Sequence, residues 1–381
     1  MSSEKRVRLS KPYVVNDREV LSSFQEILND GYFVQGTYVR YFEELFSSYL
    51  SVRHCVAVSS GTAALHLALL ALGIGPGDEV IVPAFTFPAT GNAVELAGAR
   101  PVFVDVDPRT FNIRIDEIEK CVTKKTAAIL VVHLFGNPVD MDSVLNIAQR
   151  HGLRVIEDAA GALGSLYKGR LCGTMGDVGC FSFHPRKIVT TGEGGMVVTN
   201  SHEIAERVRV LRNHGMIQVD DTKDFVAPGL NYRMNEFEAA LGIVQMKNLS
   251  SMIAERISLA RIFGQKLCSI DNLELQVSND DCLNMHQAFV VKLSKVENLE
   301  VIRELAEHGV EATVGTYALH TLSFYSKKYG YKPSDYPVAA QLHHKSLALP
   351  FYNGMTMEEI DTVVQRLKEV LEFENRSNQD E

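Results

Sequence analysis

Lys187 ends the run Cys180-Phe-Ser-Phe-His-Pro-Arg-Lys187, between the apolar, strand-like Val178–Phe183 and the glycine-rich turn Gly192-Glu193-Gly194-Gly195. An amine held in such a place can be stripped of water, which lowers its pKa and makes it a nucleophile toward a carbonyl or aldehyde. The same placement suits a solvated surface lysine, so Lys187 alone decides nothing. Asp158 adds a second group. It ends the run Leu153-Arg-Val-Ile-Glu-Asp158 and is followed only by the small residues Ala159-Ala160-Gly161-Ala162. A carboxylate at a strand end above a small-residue floor can pair with a protonated ring nitrogen, or it can simply cap the next helix.

An anion site is the third component. Val56-Ala-Val-Ser-Ser-Gly-Thr62 leads from a strand into a helix, with Ser60, Gly61 and Thr62 at the junction. Gly61 permits close backbone approach, and the free N–H groups of a first helical turn attract a phosphate. A plain N-cap is the alternative reading. Phe87, in Phe85-Thr-Phe-Pro88, can lie over a flat ring or belong to the core. A nucleophilic lysine, a carboxylate for a ring nitrogen, a phosphate cradle and an aromatic together describe a site for pyridoxal 5'-phosphate (PLP).

The elements that must bring these groups together are legible as alternating strands and helices. The pattern predicts strands over His54–Val58, Glu79–Pro83, Pro101–Val106, Ala127–His133 and Leu153–Glu157. Helices are predicted between them, over Thr62–Leu72, Pro88–Ala97, Asp116–Val122 and Met141–His151. This order implies an α/β chain: a large domain with a mostly parallel mixed sheet flanked by helices. Ligands in such sheets bind beyond the carboxyl ends of the strands, which draws attention to Ser59–Thr62, His133 and Asp158. Farther on, a helix over Leu241–Leu267, a strand over Ala288–Leu293 and helices over Leu299–His308 and Met357–Leu371 suit a smaller α+β domain. The division expected is residues 1–250 for the cofactor-binding domain and 251–381 for the small one. The polar tail Asn375–Glu381 is expected to be disordered.

Composition narrows the class. A net charge of −9 offers no footprint for nucleic acid. The longest apolar stretches, near Ala63–Ile74 and Ala127–Phe135, are too short to span a bilayer, and Met1–Lys11 has no signal-like apolar core. The six cysteines show neither a C-x-x-C pair nor a zinc spacing, so no metal is expected. These features imply a soluble protein of the reducing cytoplasm.

With these residues in view, the chain resembles the DegT/DnrJ/EryC1/StrS family of sugar aminotransferases, which have the PLP-dependent type I fold. Matching segments run almost end to end: Phe42-Glu-Glu, Ser59-Ser-Gly-Thr-Ala-Ala-Leu-His66, Pro76-Gly-Asp-Glu-Val80 and Glu157-Asp-Ala-Ala160. They continue through Ser182-Phe-His-Pro-Arg-Lys187, Thr190-Thr-Gly-Glu-Gly-Gly195, Gly229-Leu-Asn-Tyr-Arg-Met234, Leu319-His320 and Leu347-Ala-Leu-Pro350.

The resemblance implies that Lys187 is the Schiff-base lysine and Asp158 the partner of the ring nitrogen. It implies Gly61, Thr62 and Ser182 as phosphate ligands, Phe87 as the stacking ring, and Asn231 as a residue reaching into a neighbouring subunit's site. It also implies a homodimer with shared active sites, L-glutamate as amino donor and a nucleotide-linked sugar as acceptor. The Thr190–Gly195 segment resembles members acting on 4-keto-6-deoxy sugars more than those acting on 3-keto sugars. His184 and His320 are candidates for touching the sugar or its diphosphate, or for plain structural histidines. One position departs from the family: the usual His or Gln three residues after the aspartate is Gly161, leaving open what meets the cofactor's phenolic oxygen. A sugar dehydratase on the same fold typically has His in place of the lysine, so Lys187 argues against it. A non-catalytic regulator would have no use for the full set of Lys187, Asp158 and the phosphate motif.

Overall fold

The computed structural model describes residues 6–377. Its centre is a seven-stranded sheet of β1 (His54–Val58), β2 (Glu79–Pro83), β3 (Arg100–Val104), β4 (Thr126–Val132), β5 (Arg154–Asp158), β6 (Val178–Ser182) and β7 (Gly195–Thr199). The spatial order is β1-β7-β6-β5-β4-β2-β3. Pairings from β3 to β6 are parallel, while β7 runs antiparallel to both β6 and β1. The carboxyl ends of six strands therefore meet the amino end of β7 along one edge. This is the α/β sheet that the alternating pattern implies.

Period-two burial explains the layers. Val80 and Val82 of β2 pack with the helix Gly61–Ala71, whereas Ile81 between them packs on the opposite face with the helix Met141–His151. The helix Gly61–Ala71 buries eight residues around its circumference, as expected of a helix covered on all sides. It crosses β6 and β7, so its amino terminus is held beside their functional ends.

The helix Glu236–Leu267 has 32 residues and links two cores. Ala239, Ile243, Leu249 and Met252 join Phe42 and Phe46 under the large sheet. Leu259, Phe263 and Leu267 join Phe289, Val291 and Leu347 under a four-stranded antiparallel sheet. That smaller sheet orders Leu273–Leu275, Phe289–Leu293, Ser346–Leu349 and Thr313–Val314, backed by the helices Asn298–Glu307 and Met357–Ser377. Val7 packs in this second core although it lies at the other end of the chain.

Some boundaries differ from expectation. The helix expected over Asp116–Val122 is one turn, Ile115–Ile118, followed by a 3-10 turn, Glu119–Cys121. Only Ile118 is buried there, so little apolar contact sustains further turns. The long helix begins at Glu236 rather than Leu241, because Asn235 and Glu238 form a reciprocal capping box. The tail expected to be disordered from Asn375 is helical to Ser377; residues 378–381 lie outside those described.

Candidate active site

A cavity of about 630 Å³ opens at the functional edge of the large sheet. Five strand ends contribute to its wall: Ser60, Gly61 and Thr62 after β1, Phe87 after β2, His133 after β4, Asp158 from β5 and Ser182 from β6. Lys187 and His184 enter from the loop joining β6 to β7, and Gln287 and Thr313–Tyr317 close the cavity from the smaller sheet. Parallel strands thus gather residues far apart in sequence.

Asp158 is buried, 6% exposed. Its Oδ2 accepts from the Thr90 hydroxyl at 2.9 Å, and its Oδ1 from the Ala160 N–H at 3.1 Å. Among the described residues it forms no ion pair. Burial pushes its pKa up, opposed by the Thr90 and Ala160 hydrogen bonds and by the nearby Lys187 and His133. A buried carboxylate with hydrogen bonds but no ion pair fits a cationic ring nitrogen. Lys187 is half-buried; burial lowers its pKa, Asp158 opposes that shift and Arg186 reinforces it. The amine is thereby nearer to its neutral, nucleophilic form than a lysine in water.

The loop carrying Lys187 is held by side chains, because it pairs with no strand. The Gln245 side chain, fully buried on the long helix, accepts from the Thr190 N–H at 3.2 Å and donates to the Thr190 carbonyl. The Thr190 hydroxyl in turn donates to the Phe183 carbonyl at 2.9 Å.

The cradle at Gly61 is tight. Ser60 caps the helix, its hydroxyl accepting from the Ala63 N–H at 3.0 Å. The N–H groups of Gly61 and Thr62 lie in the first turn, where an α-helix supplies no acceptor. A Cβ on Gly61 would lie 2.7 Å from Ser182 Cβ and 3.1 Å from its Oγ, so only glycine lets the two segments approach this closely. The backbone N–H groups and the serine hydroxyl converge as a phosphate requires. The residues present therefore fit PLP.

The remaining expected residues divide. Phe87 lines the cavity and is 62% exposed, edge-on to Tyr317 at 6.3 Å between ring centroids. His184 lines the cavity; its Nδ1 accepts from the Arg186 N–H at 3.2 Å, so the neutral ring carries its hydrogen on Nε2. Burial lowers its pKa, which favours that neutral donor. His320, by contrast, is fully buried with its ring 4.9 Å from that of Tyr336, and it is not on the cavity wall. Asn231 is exposed and also off the wall; its backbone bridges to Asn213.

Sequence reasoning missed Thr90 and Gln287. Thr90 is 68 residues from Asp158, and nothing in its surroundings marks it as a carboxylate partner. Gln287 comes from the segment before Phe289–Leu293 and covers the space above Gly161, where a Cβ would lie 3.3 Å from Gln287 Cγ. The position at which the family usually has His or Gln is thus overlain by a glutamine from elsewhere in the chain. His133 was expected only as a strand-end residue. Its Nε2 donates to Glu157 at 2.9 Å, while its Nδ1 accepts from the Val139 N–H at 3.1 Å.

A lysine and a buried carboxylate on one cavity wall beside a helix amino terminus, on a seven-stranded mixed sheet, are the arrangement expected of a PLP-dependent enzyme. Residues 15–368 match the DegT/DnrJ/EryC1/StrS aminotransferase family, and the chain belongs to it. It is 39% identical over 343 residues to the GDP-perosamine synthase of Caulobacter vibrioides, covering 88% of this chain and 91% of that one. The structure of S. venezuelae DesV superposes with a TM-score of 0.90 at 33% identity, covering 96% of this chain and 98% of that one. Spr1654 from Streptococcus pneumoniae, in its PMP form, gives a TM-score of 0.93 at 26% identity, covering 98% and 100%. The chain is a sugar aminotransferase, and its cofactor is PLP.

Proposed function

We propose that this enzyme moves the amino group of L-glutamate to a nucleotide-linked 4-keto-6-deoxy sugar. The observation that carries the site assignment is the Lys187–Asp158 pair across one cavity, with the Gly61–Ser182 cradle beside it. The similarity to a GDP-perosamine synthase supports a nucleotide-linked sugar as the acceptor. PLP supplies, when bound, an electron sink and a carbonyl group that carries nitrogen from donor to acceptor.

The protein's own residues do the rest. Asp158 holds a proton on the ring nitrogen by offering a carboxylate where water is excluded. Lys187 Nζ would hold the cofactor and, as a free amine, would move the proton to and from the substrate carbon as general base and acid. Gly61, Thr62 and Ser182 bind the phosphate and so fix the distance from Lys187 to the reacting carbon. His184 Nε2–H faces the sugar diphosphate as a neutral donor. Phe87, exposed at the mouth, covers the ring.

The active unit is a homodimer. Phe225 and Val226, 61% and 55% exposed at the end of the hairpin Met216–Val219/Thr222–Phe225, offer apolar surface for a second copy near Asn231. Asn231 then completes the neighbour's site.

The test is direct. Enzyme, L-glutamate and a GDP-linked 4-keto-6-deoxyhexose should release 2-oxoglutarate and form a 4-amino sugar in one-to-one amounts. Amination of 3-keto sugars alone, or loss of a sugar hydroxyl without glutamate consumption, would replace this reading.

A further inference from the structure

We propose that Gln287 is a positioning residue for Lys187, clasping the two peptide groups on either side of it. The proposal rests on the assignment of Lys187 as the cofactor lysine. Gln287 Oε1 accepts from the Ile188 N–H at 3.2 Å, and its Nε2 donates to the Arg186 carbonyl. One side-chain amide thus satisfies a donor and an acceptor that flank Lys187 in the chain. The local turn supplies the bond from the Lys187 N–H to the His184 carbonyl, at 2.8 Å, and that from the Arg186 N–H to His184 Nδ1, at 3.2 Å. Without the clasp, the Lys187–Ile188 peptide would lose its N–H partner, and the Arg186–Lys187 peptide would keep only its bond to His184.

Gln287 is itself fixed at the backbone. Its N–H donates to the Phe135 carbonyl at 2.9 Å, and its carbonyl accepts from Arg256 Nη2 at 2.7 Å. Arg256 is buried, only 4% exposed, and lies over the Phe351 ring at 4.7 Å. It also donates to the His286 carbonyl at 3.0 Å and to Asn353 at 3.1 Å. Burial pulls its guanidinium down to about 10, so it remains a cation at neutral pH. A charged group with three such acceptors holds its geometry well. The clasp therefore runs from the long helix through Arg256 and Gln287 to the lysine loop.

Gly161 makes the clasp possible. A Cβ there would lie 3.3 Å from Gln287 Cγ and 3.5 Å from its Cβ, so a longer side chain at position 161 would occupy the space of the Gln287 stem. The two positions are alternative occupants of one volume. Their substitutions should therefore be strongly non-additive.

The experiment compares PLP-loaded wild type with Gln287→Ala, Gln287→Glu, Gly161→Gln and the double variant Gly161→Gln/Gln287→Ala. The readouts are the pH titration of the visible absorption of the Lys187–cofactor linkage, and kcat and KM for L-glutamate. Gln287→Ala should shift the titration midpoint and lower kcat at least tenfold while changing KM less than threefold. Gln287→Glu keeps the stem and the acceptor, so it should lie between Gln287→Ala and wild type. Gly161→Gln should reproduce the loss by displacing Gln287, and the double variant should lose no more than either single variant. A wild-type titration and kcat in Gln287→Ala, with borohydride still fixing the cofactor on Lys187, would overturn the proposal alone. Fixation on a different lysine in the wild type would overturn both the proposal and the assignment beneath it.

Discussion

At the scale of single residues, the chemistry depends on where charge is left uncompensated. Asp158 is buried with two hydrogen bonds and no ion pair among the described residues, so the cofactor's ring nitrogen is its natural counter-charge. Asp158→Asn should keep the fold by circular dichroism and lower the transamination rate by several orders of magnitude. An unchanged rate would reduce Asp158 to a cap. The phosphate cradle makes a separate demand. Gly61→Ala would place a Cβ 2.7 Å from Ser182 Cβ, and backbone must move to relieve it. PLP affinity should fall at least tenfold, about 1.4 kcal/mol, by equilibrium dialysis. Unaltered affinity would show that phosphate binds elsewhere. The placement of Lys187 and Asp158 on the cavity wall was legible in the sequence because each ends or follows an apolar run. Thr90 and Gln287 were not, because their roles exist only once separate segments converge, 68 residues apart for Thr90–Asp158 and 99 for Ile188–Gln287.

At the scale of elements, buried polar anchors hold the strand ends in place. Glu157 on β5 is fully buried and accepts N–H bonds from Gly173, Met175 and Gly176 at 2.7, 2.6 and 2.6 Å, besides the bond from His133. Removing one partner of such a buried pair costs about 3–5 kcal/mol. Glu157→Ala should therefore show that loss in urea denaturation. His133 Nδ1 accepts from the Val139 N–H, so the ring is neutral and its one hydrogen, on Nε2, goes to Glu157. His133→Leu makes neither bond and should lower Tm, and an unchanged Tm would contradict the pairing. The alternating elements themselves were read correctly from periodicity, since strands buried on both faces are nearly all apolar. Boundaries slipped where a cap outranked hydrophobicity, as at Asn235, or where too little burial supported a helix, as after Ile118.

At the scale of the whole molecule, the cavity lies between two sheets with separate cores, and the long helix is common to both. Asn231 is exposed and off the cavity wall, and its proposed service to a neighbour's site can be tested. Co-expressed Asn231→Ala and Lys187→Ala chains should regain part of the activity that each lacks alone, because one mixed site is then intact. No recovery despite demonstrated subunit exchange would confine Asn231 to its own subunit. That proposed role comes from resemblance and not from composition or periodicity, since no spacing within one chain encodes a contact with another. The catalytic expectations depend on the identity of the lysine that holds the cofactor. Borohydride reduction of the PLP-loaded protein followed by peptide mass mapping tests it most directly. The account predicts one cofactor adduct, on Lys187, and none in Lys187→Ala; an adduct on any other lysine in the wild type would contradict it.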